Sequence, residues 1–291
     1  MEDYLVRGMT EGGNVIGLAC VTTNLVEDAR RRHKTCPTAT AALGRALTGG
    51  GLLGALLDEG QRVAIKFTGD GPLKKIVVEA EGDGTVRGYV QVPRVDLPPV
   101  DGKLDVGGAI GRRGFLTVTR DLRIRAPYSG IVELHTGEIA SDIAYYLSES
   151  EQVPSAVGLG VYVEADERVG ASGGFLVQSL PPRDDALISS IERTIQSLPG
   201  VTTLLMQGKT PEDILGMIFT QTPFRIIETR RVSFACSCSV GRIEQALVTL
   251  GKRQIEEIAA TEEMFDIFCH FCNKTYVFTR EHLLRLAREM H

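Results

Sequence analysis

The chain has 291 residues and a formal net charge of −5, which disfavours a nucleic-acid partner because phosphate binding needs concentrated positive charge. Hydrophobic residues make up 43% of the chain, but tryptophan is absent and aromatic residues reach only 6%, so we expect a mainly aliphatic core. The acidic start lacks the basic and apolar regions of a secretory signal, and no apolar run approaches membrane-spanning length. We therefore expect a cytoplasmic protein without a membrane partner.

Residues 1–182 are predicted to form an α+β domain. Short runs rich in Val, Ile and Phe alternate with Gly, Asp and Pro turns, which is typical of a mixed or largely antiparallel sheet. Helices are predicted over residues 38–57 and 138–148, and Gly49-Gly50-Gly51 is expected to kink or split the first. The predicted strands cover residues 63–67, 76–79, 86–92, 115–118, 130–134, 160–164 and 174–180.

Residues 183–232 are predicted to form a helical linker rather than a second core. One amphipathic helix is predicted over residues 184–196, and a second begins at Thr210, where a cap residue precedes Pro211 and two acidic residues. Each helix carries an apolar stripe that needs a surface to cover it, and the folded C-terminal module is the nearest candidate. The stripes consist of Leu187, Ile191 and Ile195 on the first helix and Ile214, Ile218 and Phe219 on the second.

Residues 233–291 contain two close cysteine pairs, Cys236 with Cys238 and Cys269 with Cys272. Four thiolates in two pairs are a typical zinc site, although the single residue inside the first pair makes a tight chelate. The same cysteines could form disulfides, or could be buried apolar side chains. His270 is expected to be a bystander. The surrounding module is predicted to contain helices over 241–250 and 253–260, a strand over 276–278 and a final helix from 279. So small a module cannot bury much apolar surface, so a metal would supply stability.

The remaining motifs favour structural roles. Gly170 to Gly174 match the Gly-x-Ser-x-Gly nucleophile elbow, but a strand-like run follows where the elbow needs a helix, so we expect a hairpin turn and no enzyme. Cys20 and Cys36 are isolated and are predicted to be structural. The basic run from Arg30 to Lys34 is predicted to be a solvated helix face rather than an anion site.

Several segments along the whole chain match the sequence motifs of a known protein family, and they occur in the same order as in that family. Besides the four cysteines, they are Arg31-Arg32-His33 with Pro37-Thr38-Ala39 and Ala42-Leu43-Gly44-Arg45, Gly130-Ile131-Val132-Glu133-Leu134 with Thr136-Gly137-Glu138-Ile139-Ala140, and Tyr145-Tyr146-Leu147 through Ser150-Glu151-Gln152-Val153-Pro154-Ser155. On these segments the chain resembles the thirty-three-kilodalton heat-shock protein family, the bacterial redox-regulated holdase chaperones.

The resemblance implies a substrate-binding domain over 1–182, a metastable linker over 183–232 and a zinc switch over 233–291. It implies that an oxidant forms the disulfides Cys236–Cys238 and Cys269–Cys272 and expels one zinc ion per chain. The linker would then loosen and expose apolar surface that holds unfolding client proteins against aggregation. This activity uses no ATP, and the active form would be a homodimer.

Two other classes of protein fit the sequence less well. A zinc-ribbon nucleic-acid binder needs a basic face near the cysteines, whereas the middle of this module is acidic. A thiol oxidoreductase needs its Cys-x-x-Cys motif at a helix N-terminus, whereas a strand is predicted to follow Cys272.

Overall fold

A computed structural model of the protein describes residues 2–124 and 126–290, which divide into two compact units over residues 1–235 and 236–291. The first unit is a mixed α+β fold, as predicted. Its strands and helices are, in chain order, β1 Tyr4–Thr10, β2 Val15–Val21, α1 Thr23–His33, α2 Pro37–Gly54, β3 Arg62–Gly69, β4 Lys75–Glu81, β5 Thr85–Val90, α3 Val106–Ile110, β6 Gly114–Asp121, β7 Tyr128–Glu133, α4 Ile139–Glu149, β8 Ser155–Val163, β9 Val169–Ser179, α5 Asp185–Ser197, α6 Val201–Met206, α7 Pro211–Ile218, β10 Phe224–Arg231 and β11 Ser233–Phe234.

The strands of the first unit form two sheets. The five-stranded sheet has the order β10-β1-β2-β9-β8, and all its neighbours are antiparallel. The six-stranded sheet has the order β11-β5-β4-β3-β6-β7, and only the pairing of β11 with β5 is parallel. The prediction of a largely antiparallel fold is therefore confirmed.

Helix α2 lies at the centre of the first unit and contacts strands of both sheets. The expectation that its three glycines would split it is wrong, because the helix runs unbroken from Pro37 to Gly54. A Cβ on Gly49 would fall 2.6 Å from Ile143 Cδ1, and one on Gly50 would fall 2.6 Å from Val78 Cγ1. The missing side chains therefore allow close packing of the helix on its neighbours, which offsets their low helix propensity.

The Gly-x-Ser-x-Gly segment lies inside β9, so the expectation of a hairpin turn is wrong. Ser172 is fully buried, and its hydroxyl lies 2.9 Å from that of Thr22 and 3.5 Å from that of Thr48. A serine held in a buried hydroxyl cluster within a strand has no access to a substrate, which agrees with the dismissal of the hydrolase motif.

The segment 183–232 packs on the five-stranded sheet. Helix α5 begins after Asp184, whose side chain accepts a hydrogen bond from Leu187 N, and α7 begins with a capping box between Thr210 and Asp213. The segment ends in β10, which pairs with β1 and which the sequence analysis did not predict. None of the described helices is long and apolar enough to cross a membrane.

The second unit is a small module around its own apolar cluster. Its elements are α8 Val240–Val248, α9 Lys252–Thr261, β12 Met264–Phe268, β13 Thr275–Thr279 and α10 Arg280–Glu289. The antiparallel hairpin of β12 and β13 packs with the three helices around Leu247, Ile255, Phe278 and Leu283. The predicted helices and the predicted strand of this region are present.

Candidate metal centre

The first cysteine pair lies directly before α8. Cys236 and Cys238 are half-buried, and Ser239 caps the helix by accepting a hydrogen bond from Arg242 N. Ser237, between the two cysteines, is exposed, and its hydroxyl contacts the Arg242 guanidinium. The cap thus sets where the helix begins and places both cysteines immediately before its N-terminus.

The second pair lies in the turn between β12 and β13. Cys269 N donates to Lys274 O at 2.9 Å, and Asn273 N donates to Cys269 O at 2.7 Å. Asn273 adopts the left-handed conformation with φ of 56°, which asparagine tolerates better than most residues. These backbone bonds close the turn around Cys269 and Cys272.

The turn and the helix start bring the four sulfur atoms together. All four Sγ atoms lie within 4.8 Å of one another, with Cys236 Sγ 3.7 Å from Cys269 Sγ and Cys238 Sγ 3.3 Å from Cys272 Sγ. A tetrahedral zinc ion with Zn–S bonds of about 2.3 Å needs sulfurs about 3.8 Å apart. The donor set and its spacing therefore fit a metal ion. His270 is exposed and does not belong to the cluster.

The thiols of the cluster differ in their electrostatic surroundings. Burial raises the pKa of Cys238, but hydrogen bonds from Tyr276 and the neighbouring thiols outweigh it and bring the pKa to about 7. Burial raises the pKa of Cys272 to about 12 and also raises that of Cys269. Without a cation the cluster therefore concentrates negative charge on Cys238, whereas a bound metal ion favours deprotonation of all four thiols.

The module around the cluster has a small apolar core of its own. An open groove of about 450 Å³ lies beside its core, between α9, the β12 strand and Leu283 of α10. A metal ion bound by the four cysteines would cross-link the segment before α8 to the turn between β12 and β13 and would add stability to so small a module.

The likeness to known proteins extends over nearly the whole chain. Residues 3–279 match the profile of the family described as Hsp33 protein. The chain belongs to the Hsp33 family. A 33 kDa chaperonin of Geobacter sulfurreducens is 57% identical and covers 98% of this chain and 95% of its own length. Another, from Bacillus cereus, is 43% identical over 100% of both chains.

The fold agrees with a solved member of the Hsp33 family. The crystal structure of the 33 kDa chaperonin from Thermotoga maritima matches with a TM-score of 0.91 and 36% identity, covering 99% of this chain and 98% of that one. The family resemblance and the α+β fold class are thereby confirmed. Since the relatives are named chaperonins, the prediction that the chain is not an enzyme is confirmed too.

The apolar stripes of the linker lie away from the cysteines in the sequence and pack on the five-stranded sheet. Ile191, Ile214, Ile218 and Phe219 are buried, and Leu187 and Ile195 are partly buried against them. Their partners on the sheet are Val6, Val15, Ala19, Phe175 and Val177. The expectation that the C-terminal module covers these stripes is therefore corrected, because the sheet already does so.

The other singled-out residues have structural surroundings. Cys20 is buried on β2, where burial raises its pKa to about 12, and Cys36 precedes α2. The basic run forms the last turn of α1, where Arg30 and Arg31 both bond to Glu27 and Arg32 bonds to Asp28. Arg32 also lies 5.0 Å above the ring of Phe234, a contact that the sequence analysis missed.

Proposed function

We propose that this protein is a redox-regulated, ATP-independent holdase that is zinc-bound and inactive when reduced. The observation that carries the proposal is the four-sulfur cluster in a small module, whose modest apolar core a bound metal would reinforce. Membership of the Hsp33 family supports the chaperone activity. Bound zinc would keep the thiols deprotonated and cross-link Cys236, Cys238, Cys269 and Cys272.

The oxidation step is thiolate chemistry within each pair. One thiolate attacks a peroxide oxygen, the O–O bond breaks, and the sulfur becomes a sulfenic acid as hydroxide leaves. The second thiolate attacks that sulfur, an S–S bond forms and a second hydroxide leaves. Two peroxides thus oxidise four thiolates to the disulfides Cys236–Cys238 and Cys269–Cys272, and the ligands of the metal are lost.

The chain itself connects the module to the first unit. Only Ala235 separates β11 from Cys236, and Ala235 N donates to Val86 O at 3.0 Å. Immediately before β11, Val232 is buried in the core and β10 pairs with β1. Unfolding of the module would remove the ordered chain that follows β11, so this short strand and then β10 would fray more easily.

The linker then supplies the client-binding surface. Release of its helices would uncover the apolar side chains of both the linker and the five-stranded sheet. Helix α5 buries only Ile191, whereas α7 buries Ile214, Leu215 and Ile218, so α5 is expected to detach first. The partners of the active form are unfolding proteins and a second copy of this chain, in the cytoplasm; nucleic acid and membrane have no part in the proposal.

An aggregation assay tests this function. Light scattering of a thermally unfolding client enzyme is expected to fall only when peroxide-treated protein is added, while reduced protein leaves it unchanged. Cys36→Ser, outside the cluster, should be activated normally, whereas serine at Cys269 and Cys272 should abolish zinc binding. Failure of the oxidised protein to suppress aggregation would contradict the chaperone mechanism.

Metal analysis and disulfide mapping test the switch. Reduced protein should contain about one zinc per chain, and the variant with serine at all four positions should contain none. Peptide mapping after mild peroxide should show bonds within each pair. Mainly cross-pair bonds, such as Cys236–Cys269, would contradict the proposed disulfides.

A further inference from the structure

The hydroxyl of Tyr276 lies 3.0 Å from Cys238 Sγ and donates a hydrogen bond to it. Tyr276 is in β13, where it pairs with Ile267, and is only 6% exposed. The ammonium of Lys274 lies 5.0 Å above its ring. The module core holds the ring with its hydroxyl directed at the sulfur, whereas the Lys274 ammonium only covers the face of the ring.

A hydrogen bond to a thiolate withdraws electron density from the sulfur. A phenol has one proton to donate, so the effect falls on Cys238 and not equally on all four sulfurs. In the zinc-bound state the thiols are already deprotonated, so the hydrogen bond from Tyr276 changes the nucleophilicity of the Cys238 sulfur rather than its protonation. Since attack on peroxide depends on the nucleophilicity of sulfur, the bond makes Cys238 a slower nucleophile.

The donor Tyr276 connects the two cysteine pairs, because it lies in the hairpin of the second pair and bonds to a cysteine of the first. Tyr276 follows Cys272 by four residues in the same hairpin, whereas Cys238 belongs to the first pair, before α8. The turn that carries Cys269 and Cys272 is closed by the bond from Cys269 N to Lys274 O. A disulfide formed in this turn would change the geometry between Cys269 and Tyr276 and weaken the contact with Cys238.

We propose that Tyr276 is a positioning residue that orders the two oxidation steps of the switch. Its hydroxyl holds Cys238 back until Cys269 and Cys272 have formed their disulfide, after which the first pair reacts. The chemistry of each step is the peroxide oxidation described above. This inference rests on the proposed function and names how its site is regulated.

The test is Tyr276→Phe, which removes the hydroxyl and keeps the ring. In the zinc-loaded full chain, time points of peroxide oxidation are trapped by alkylation and mapped by mass spectrometry. The rate of Cys236–Cys238 formation should rise about 3- to 10-fold, as expected if half the effect of a charge-assisted hydrogen bond reaches the rate. The Cys269–Cys272 rate should stay within about 2-fold. Lys274→Gln, which keeps the hydroxyl, is the matched control and should retain the wild-type order.

A spectroscopic measurement separates tuning of the sulfur from a packing role. In cobalt-substituted protein the sulfur-to-metal charge-transfer band of Tyr276→Phe should shift to lower energy, because the sulfur regains electron density. Lys274→Gln should leave the band in place. Incorporation of 3-fluorotyrosine at position 276 strengthens the donor and keeps the fold, so Cys236–Cys238 formation should become slower.

Three results would overturn the inference. One is that Tyr276→Phe leaves both the oxidation order and the charge-transfer band unchanged. Another is that Tyr276→Phe accelerates disulfide formation equally in both pairs and loses zinc early, which indicates that Tyr276 has only a structural role. The third is the absence of any slowing with 3-fluorotyrosine. These outcomes concern only the proteins altered at position 276, so they leave the proposed function of the unchanged chain standing. Zinc retained by the quadruple serine variant would instead overturn the proposed function, and this inference with it.

Discussion

The ring of Phe219 lies directly over Gly17 of β2, so that a Cβ built on Gly17 would fall 2.7 Å from Phe219 Cε2. Leu215 of α7 approaches the same point, with Cδ2 3.1 Å from that Cβ. The end of the linker helix α7 is therefore packed on bare backbone of the sheet. This close approach requires glycine at position 17, and it makes the docking of the linker sensitive to one added side chain.

Gly17→Val is expected to loosen the linker. The new side chain overlaps Phe219, and overpacking of this kind typically costs about 1–3 kcal/mol. The reduced variant should suppress client aggregation without peroxide while still holding about one zinc per chain. Light scattering and metal analysis on the same sample check this. A variant with faster hydrogen exchange in α7 but no activity would show that linker release does not control the function.

Gly216→Ala is expected to stabilise the docked linker, the opposite of the effect of Gly17→Val. Gly216 lies inside α7, and a Cβ there meets no atom within 4 Å. Alanine should therefore stabilise the helix by about 0.5–1 kcal/mol without a clash. More peroxide or a higher temperature should be needed for half-maximal activity in the aggregation assay. An activation threshold equal to that of the unchanged protein would count against the linker as the controlling element.

Ile191→Asp is expected to release α5. Ile191 is 5% exposed and is the one buried residue of that helix, so a carboxylate there should destabilise the docked state by several kcal/mol. The reduced variant should be active and should retain zinc. Gln196→Asp, at an exposed position of the same helix, is the matched control and should remain inactive until oxidised. Activity in both variants would point to added charge rather than lost packing.

The ion pairs of Glu27 predict a loss of stability in acid. Hydrogen bonds from Arg30 lower the pKa of this carboxyl to about 2, although burial opposes them, and Val169 N also donates at 3.1 Å. Because the folded pKa lies below the unfolded value of about 4.3, the stabilisation is complete above that pH and is lost as pH falls towards 2. After discounting for solvent screening, we expect about 1–2 kcal/mol.

Urea unfolding of Glu27→Gln and the unchanged protein measures this contribution. The difference in unfolding free energy should be about 1–2 kcal/mol at pH 7 and should shrink below pH 4. Comparing the two proteins at each pH cancels the effect of any metal loss in acid, which both would share. Asp28→Asn, which alters a more exposed ion pair to Arg32, should change stability by less than about 0.5 kcal/mol. A difference independent of pH would contradict the assignment to the Glu27 charge.

Local signals in the sequence predicted several elements well. The cap and proline at Thr210 and Pro211 marked the start of α7, because helix starts depend on residues within one turn. The stripe of Ile214 and Ile218 predicted which face is buried, although not what covers it. Strand β10 was missed because half of its residues are charged, and it is held by pairing with β1, more than 200 residues earlier in the chain.

Glycine-rich segments were misread for a related reason. Gly49 and Gly50 read as helix breakers and Gly170 to Gly174 as a turn, since glycine is locally flexible. In the fold, the first two let α2 approach α4 and β4, and the second segment sits between β2 and β8. At such positions the structure of the glycine segment is set by close packing against elements that are distant in the chain. Local conformational propensity carries no information about that packing.

The sequence by itself determined the four cysteines, their spacing, the capped linker helices and the family likeness, because each depends on residue types at short separations. The tertiary structure alone decided that the linker stripes lie on the five-stranded sheet. It also decided that Tyr276 reaches Cys238 and that Phe219 rests on Gly17. These contacts join residues 38 to more than 200 positions apart, and they form only when the whole chain has packed.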